Sequence, residues 1–335
     1  MTVTTGLRQP AFRERPVPAG IRLVLVMTEQ DTLVPPRELG RLVDMCVEAE
    51  AQGIDAVMMS EHILLGPSAG AAGVMANRRD YAAPGNQDPA TAWPSSIVML
   101  SAVAARTSRL RLAAAAVIAP LRHPLLLAKE LGTLDLLSRG RLVVLPTVSW
   151  HRDEYDALGV PFTERGRILD DHLEVLAKSW GGYPLSHDGP YSRFGPVWLD
   201  PGAYADDGPT MWFGGQGMPA PLLRRLVTYG HGLNPFGALT TEDLEAVRQA
   251  LLDAGRDPSH MELVGGIRGT FSGSDDVADL DQALAELPRQ IEAGYRSICV
   301  KPSMFLDDPA DFGSWCRGLV RRTEDVTGLP VVTTP

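Results

Sequence analysis

Cysteine is scarce in this chain. Three occur in 335 residues, at Cys46, Cys299 and Cys316, far apart and never as CxxC. That argues against a disulfide framework and against zinc ligation, and fits buried thiols in a reducing cytoplasm. Positive charge is also short: 31 Lys and Arg stand against 41 Asp and Glu, a formal net charge of −10. The longest basic runs are Arg-Arg pairs at 78–79, 224–225 and 321–322. A nucleic-acid partner is not expected, because neutralising phosphates takes clustered cations. No apolar stretch nears the ~18 residues a membrane span needs. The start, MTVTTGLRQPAFRERPVPAG, lacks the basic-then-apolar order of a signal peptide. Its Pro and Arg content suggests a loose arm over residues 1–20. HxH, HExxH and P-loop signatures are missing, which sets aside hydrolytic zinc barrels and P-loop enzymes.

What is present is a rhythm. Eight β-rich runs are read at 21–27, 55–60, 110–118, 141–149, 211–216, 230–236, 263–271 and 295–300. Most are followed by helix-period segments. Leu39, Leu42, Val43 and Cys46 form one apolar stripe ending near Gly53; Leu127, Leu131, Leu134 and Leu137 form another before Gly140. Further stripes run over Leu169–Trp180, Leu244–Leu251 and Phe312–Leu319, and Thr240 with Asp243 has the spacing of a capping box. The stripe at Leu280, Leu284, Leu287 and Ile291 is interrupted by Pro288, which predicts a kink. Alternating strands and helices require parallel pairing, because parallel neighbours need a crossover. Eight such units predict a single α/β domain over 21–335, closed as a (β/α)8 TIM barrel. An open doubly wound sheet would carry a glycine-rich first turn; TEQDTLVPP has no glycine. Two connections are long. Residues 63–92 leave the carboxyl end of a strand and could form an active-site lid, whereas 181–209 precede a strand and are expected to be structural.

In such a barrel the polar groups at carboxyl strand ends form the catalytic mouth. The second strand ends in Glu61-His62, a histidine that can move a proton beside a carboxylate able to orient it. The third ends in four alanines, 113–116, small enough to let a flat ligand approach. The fourth, VLPTVSWHRDEY, ends in Thr147, Ser149, Trp150, His151 and Glu154: hydroxyls for a polar ligand, an indole to stack, and Glu154 as a candidate helix cap. The fifth ends in Gly214-Gly215-Gln216-Gly217 before Pro219 opens a helix, a turn suited to an anion. Asn234, Arg268 and Lys301 end or line the last strands. Arg268 and Lys301 could meet an anion or pair with neighbouring loops.

Several of these residues together carry a resemblance. Arg122-His123-Pro124-Leu125-Leu126-Leu127-Ala128-Lys129-Glu130, Leu134-Asp135, Leu137-Ser138-Arg139-Gly140-Arg141-Leu142, Trp150 through Val160, Phe162, Arg165-Gly166 and Trp212-Phe213-Gly214-Gly215 occur in that order. The chain so resembles the bacterial luciferase-like flavin and deazaflavin oxidoreductase superfamily, most of all its coenzyme F-420-dependent branch. The resemblance implies a usually dimeric luciferase-like barrel holding a tricyclic cofactor ring in its mouth. It matches the family's catalytic histidine to His62 and the preceding acid to Glu61. It places a cis peptide at Ala115–Ala116, the phosphate turn at Gly214 and Gly215, and the residue beside the ring at Trp150. It also exposes a departure: Leu145, Thr147 and Ser149 stand where the family commonly has three glycines, with Pro146 among them. Glycine there lets a cofactor lie on the backbone; Thr147 and Ser149 could instead offer hydroxyls to it. The implied activity is hydride transfer between the deazaflavin and a small organic substrate. The alternatives are an FMN-dependent monooxygenase and a barrel that has lost tight cofactor binding and serves in a binding or regulatory role.

Overall fold

The computed structural model describes residues 12–181 and 183–334. Its strands are β1 (Arg22–Val26), β2 (Ala56–Met59), β3 (Arg111–Ile118), β4 (Leu142–Thr147), β5 (Leu185–Asp188), β6 (Arg193–Val197), β7 (Thr210–Phe213), β8 (Gly232–Leu233), β9 (Glu262–Gly266) and β10 (Ser297–Val300). Eight of them close a barrel in the order β1-β10-β9-β8-β7-β4-β3-β2, with every pairing parallel. This is the (β/α)8 barrel that the alternation of elements predicts. The two remaining strands, β5 and β6, pair antiparallel inside the 181–209 connection. His187 Nε2 bonds Asp171 Oδ1 at 2.9 Å and ties that hairpin to helix Arg165–Trp180.

The period of two along each strand sorts its side chains. Val24 and Val26, Ala56 and Met58, Ala113 and Ala115, and Val143 and Leu145 fill the barrel interior with Trp212, Val264 and Cys299. Their neighbours Leu23, Leu25, Val57, Leu112 and Val144 face the helices. Thr240 and Asp243 form both halves of the expected capping box. Pro288 does more than kink: the chain breaks into helices Leu280–Leu284 and Leu287–Glu292, with the proline in the first turn of the second. Helix Ser96–Ala104 has no legible stripe in SIVMLSAVA, because it is apolar on nearly every side.

The amino end of the barrel is closed by charge. Arg111 grips Glu262 with both Nη atoms at 2.9 and 3.1 Å and reaches Asp55 with Nε at 2.7 Å. Trp212 Nε1 donates to Glu262 at 3.1 Å. Burial opposes the Glu262 charge, but the paired Arg111 guanidinium outweighs it and holds the carboxyl at about 2. This end is a structural plug, and the chemistry is left to the other.

The arm expected over residues 1–20 lies partly outside the described residues. From residue 12 onward it is pinned. Phe12 stacks on His231 with centroids 4.7 Å apart, and the Arg256 guanidinium lies 3.9 Å from the Phe12 centroid. Arg15 pairs with Asp207 at 3.2 Å. No helix among the described residues is long and apolar enough to cross a membrane.

Candidate active site

The run after β4 is aimed at the loop after β2. His62 leaves the end of β2 half-buried, and its Nδ1 lies 2.7 Å from Glu154 Oε1. A carboxylate only accepts, so Nδ1 carries the proton and Nε2 is the free nitrogen of the ring. Glu154 is fully buried in the first turn of helix Arg152–Leu158. Its other oxygen accepts the Ile63 N–H at 2.8 Å, and the Ser149 hydroxyl donates to Oε1 at 3.2 Å. The neighbours act alike. His151 Nε2 accepts the Gly66 N–H at 2.8 Å, and Asp153 Oδ2 accepts the Ser68 N–H at 3.0 Å. Burial lowers the His151 pKa, in keeping with a ring nitrogen that must stay unprotonated to accept. A core strand ends in this polar burst because three acceptors on one short helix clasp the backbone behind His62.

Aromatic rings complete the setting. Trp93 and Trp150 meet the His62 ring edge-on at 4.9 and 5.6 Å. Trp150 therefore stands beside the histidine, at the position expected to border the cofactor.

Glu61 requires a correction. The expected pairing with His62 does not form, because successive residues at a strand end point to opposite sides. Glu61 faces outward, buried, where Arg122 binds it through both Nη atoms at 2.6 and 2.9 Å. The Ile118 N–H and the Ser96 hydroxyl also donate to it. Its oxygens are fully committed, and its place as partner of the histidine belongs to Glu154. The reading of Glu154 as a helix cap is replaced in the same step.

Of the residues expected at the cofactor, Ala115 and Ala116 are joined by a cis peptide at the mouth. Ala115 is buried, Ala116 half-buried. Thr147 is half-buried at the end of β4. Ser149 is not free for a cofactor: besides bonding Glu154, its oxygen accepts the His151 N–H at 3.2 Å. Its φ of 57° is left-handed, so a family glycine at this place answers a backbone need that Ser149 meets with side-chain bonds. Leu145 points into the barrel interior and is fully buried there, so its side chain belongs to the packed layer beneath the mouth.

Gly214 and Gly215 end β7 half-buried, ahead of helix Ala220–Tyr229. A Cβ on Gly214 would run into the carbonyl oxygen of Asn234. That glycine is thus demanded by the barrel itself. At Gly215 a Cβ would press on Leu222 at 3.2 Å. The amides of Gly215, Gln216 and Gly217 have no backbone acceptor among the described residues. Such a turn, opening on a helix amino end, suits a phosphate.

The 63–92 connection was expected as a lid. Beyond the clasp at 63–68, its middle is anchored too. Arg79, buried, donates to the carbonyls of Asp275, Ser303 and Leu306 and to Asp307 Oδ1. Asn77 donates to the carbonyls of Gly273 and Asp276. The segment is a strap laid over the β9–β10 side of the mouth. Lys301 and Arg268 hold it: Lys301 Nζ donates to the Asp80 carbonyl at 2.8 Å, and Arg268 pairs with Asp80 at 3.3 Å.

The sequence model of the luciferase-like monooxygenase family matches residues 22–296. The chain belongs to that family. An uncharacterised Mycobacterium tuberculosis protein is 41% identical over 105 residues, 31% of this chain and 37% of that protein. A phthiodiolone/phenolphthiodiolone dimycocerosates ketoreductase of Mycobacterium tuberculosis is 31% identical over 180 residues, 51% of this chain and 46% of the ketoreductase. The chain thus spans less than half the length of these curated relatives. Among solved structures, a long-chain alkane monooxygenase shares the fold with a TM-score of 0.70 at 15% identity, covering 94% of this chain and 93% of that one. A coenzyme F-420-dependent secondary alcohol dehydrogenase does so with a TM-score of 0.66 at 14% identity, covering 91% and 99%. The named relatives and structural neighbours include a ketoreductase, a monooxygenase and a dehydrogenase.

Proposed function

We propose that this enzyme is a coenzyme F-420-dependent oxidoreductase that exchanges a hydride with a small carbonyl or alcohol substrate. The observation that carries the reading is the His62–Glu154 pair at the mouth. Glu154 fixes the ring's orientation and tautomer and steadies the positive charge His62 takes on when protonated. Nε2, aimed away from Glu154, then gives a proton to a carbonyl oxygen or removes one from an alcohol. The deazaflavin, when bound, supplies or receives the hydride.

The chain's own residues fit that cofactor in three ways. Ala115 and Ala116 offer a small-residue surface, Gly215 and its neighbours offer unengaged amides, and Trp150 borders the space beside His62. The resemblance to a ketoreductase and to an alcohol dehydrogenase supports carbonyl chemistry. A second reading, FMN-dependent monooxygenation, is favoured by the likeness to an alkane monooxygenase, and the same turn would suit the phosphate of either cofactor. A homodimer belongs to the proposal: Val98 and Leu126, on helices Ser96–Ala104 and Pro124–Ser138, expose 68% and 65% of their surface and give a second copy apolar area to cover.

Paired fluorescence titrations with coenzyme F-420 and with FMN test the reading. Micromolar binding of the deazaflavin alone is expected. Preference for FMN would move the assignment to monooxygenation. Binding of neither by folded protein would remove the catalytic reading in favour of a binding or regulatory barrel.

A further inference from the structure

Tyr81 lies on the strap and packs against the same inner barrel layer as Ala116. It is half-buried. Two cations brace it: Lys301 Nζ lies 5.4 Å and the Arg268 guanidinium 5.7 Å from the ring centroid. Lys301 is itself fully buried and is met by Glu29 Oε2 at 3.7 Å. Glu29, in a left-handed backbone at φ 54°, is held in turn by Gln87 at 3.2 Å. Tyr81 packs on the barrel interior and His62 stands just past the end of β2, so both border the mouth. Two residues before Tyr81, Arg79 locks the backbone with its four bonds.

A ring braced on its face and fixed at its backbone resists displacement, and a wall that does not yield discriminates by shape. We propose that Tyr81 is the specificity-determining wall of the substrate pocket and restricts the enzyme to slender carbonyl compounds or alcohols. This rests on the oxidoreductase reading above, which supplies the substrate class. The group facing the substrate is the ring itself, and the Lys301–Glu29 pair acts by holding that ring in place.

The test compares 2-butanone with 4-phenyl-2-butanone, each followed by consumption of reduced deazaflavin. Tyr81→Ala should raise the kcat/KM ratio of the bulky to the slender ketone by about 10-fold or more, the scale on which an apolar pocket discriminates. Tyr81→Trp should lower it. An unchanged ratio in both variants overturns the proposal.

A second measurement does not depend on turnover. Tyr81→Cys places a thiol in a chain whose own cysteines are all buried. That thiol should react with a maleimide reagent, and bound deazaflavin or FMN should slow the reaction at least about 10-fold, again the scale of steric discrimination in a pocket. An unreactive or unprotected thiol overturns the wall. Failure of the wild type to use either ketone counts against the proposed reaction, and the labelling result still decides where Tyr81 stands.

Discussion

His62 Nδ1 and Glu154 Oε1 meet at 2.7 Å although 92 positions separate them. The contact joins the loop after β2 to the helix after β4 across the barrel mouth. Glu154→Gln should bind cofactor as the wild type does and lower kcat by about 10- to 100-fold, because an amide can present its N–H to Nδ1 and turn the tautomer round. Single-turnover kinetics would show it, with the loss in kcat rather than KM. Loss of cofactor affinity instead would mark Glu154 as a binding residue.

His62→Ala should keep the fold and cofactor affinity and reduce turnover by ~100-fold or more, the usual worth of a positioned acid–base group. Unchanged turnover would remove His62 from the mechanism.

Glu61 makes the opposite case. Glu61→Ala strands the Arg122 guanidinium and the Ile118 amide without their acceptor. A loss of about 3 kcal/mol in stability is expected, measured by urea unfolding. Should the variant keep its stability and lose turnover alone, Glu61 would return to the catalytic group.

His231 carries a pH dependence. Burial, with Arg15 and Arg256 nearby, pushes its pKa down to about 3. Between the ordinary histidine range near 6.5 and that value, the unfolded chain binds a proton that the folded chain refuses. Stability should therefore fall as pH drops through that window, by up to about 1.4 kcal/mol per pH unit. His231→Asn should flatten the slope in urea midpoints measured from pH 7 to pH 4; an identical slope would refute the assignment.

Asp135 works at the next step of the scale. Burial raises its carboxyl to about 6, and one of its oxygens has no hydrogen-bond partner among the described residues. A raised acid stabilises the fold when protonated, and that contribution is lost as pH rises through 6. Asp135→Asn should be more stable than the wild type at pH 8 by about 1 kcal/mol, since an amide mimics the protonated acid and its oxygen can still accept the Tyr204 N–H. Equal melting temperatures at pH 8 would show that the charge is met in some other way.

The barrel was legible because its information is local. A period of two in Val24 and Val26 or Val143 and Leu145, a period of 3.6 in Leu127, Leu131 and Leu134, and the Thr240–Asp243 cap each depend on residues a few places apart. Strand ends can be counted along the chain, so His62, Ala115–Ala116, Trp150 and Gly214–Gly215 fall at one mouth. By itself, then, the sequence determined the eight barrel strands, most of the helices between them, their parallel pairing and the list of groups at the open end.

Which of those groups meet was decided by closure. Adjacent residues on an extended chain diverge, so Glu61 turned to Arg122 while Glu154 arrived at His62 from a distant helix. Ser149 was claimed by its own neighbourhood at a positive φ. The same closure drew Arg79 into the loops after β9 and β10, turning an expected lid into a strap that carries Tyr81 to the mouth. No pattern along the chain encodes these pairings, because each contact exists only once curvature brings the ends of separate strands within a few ångströms of one another.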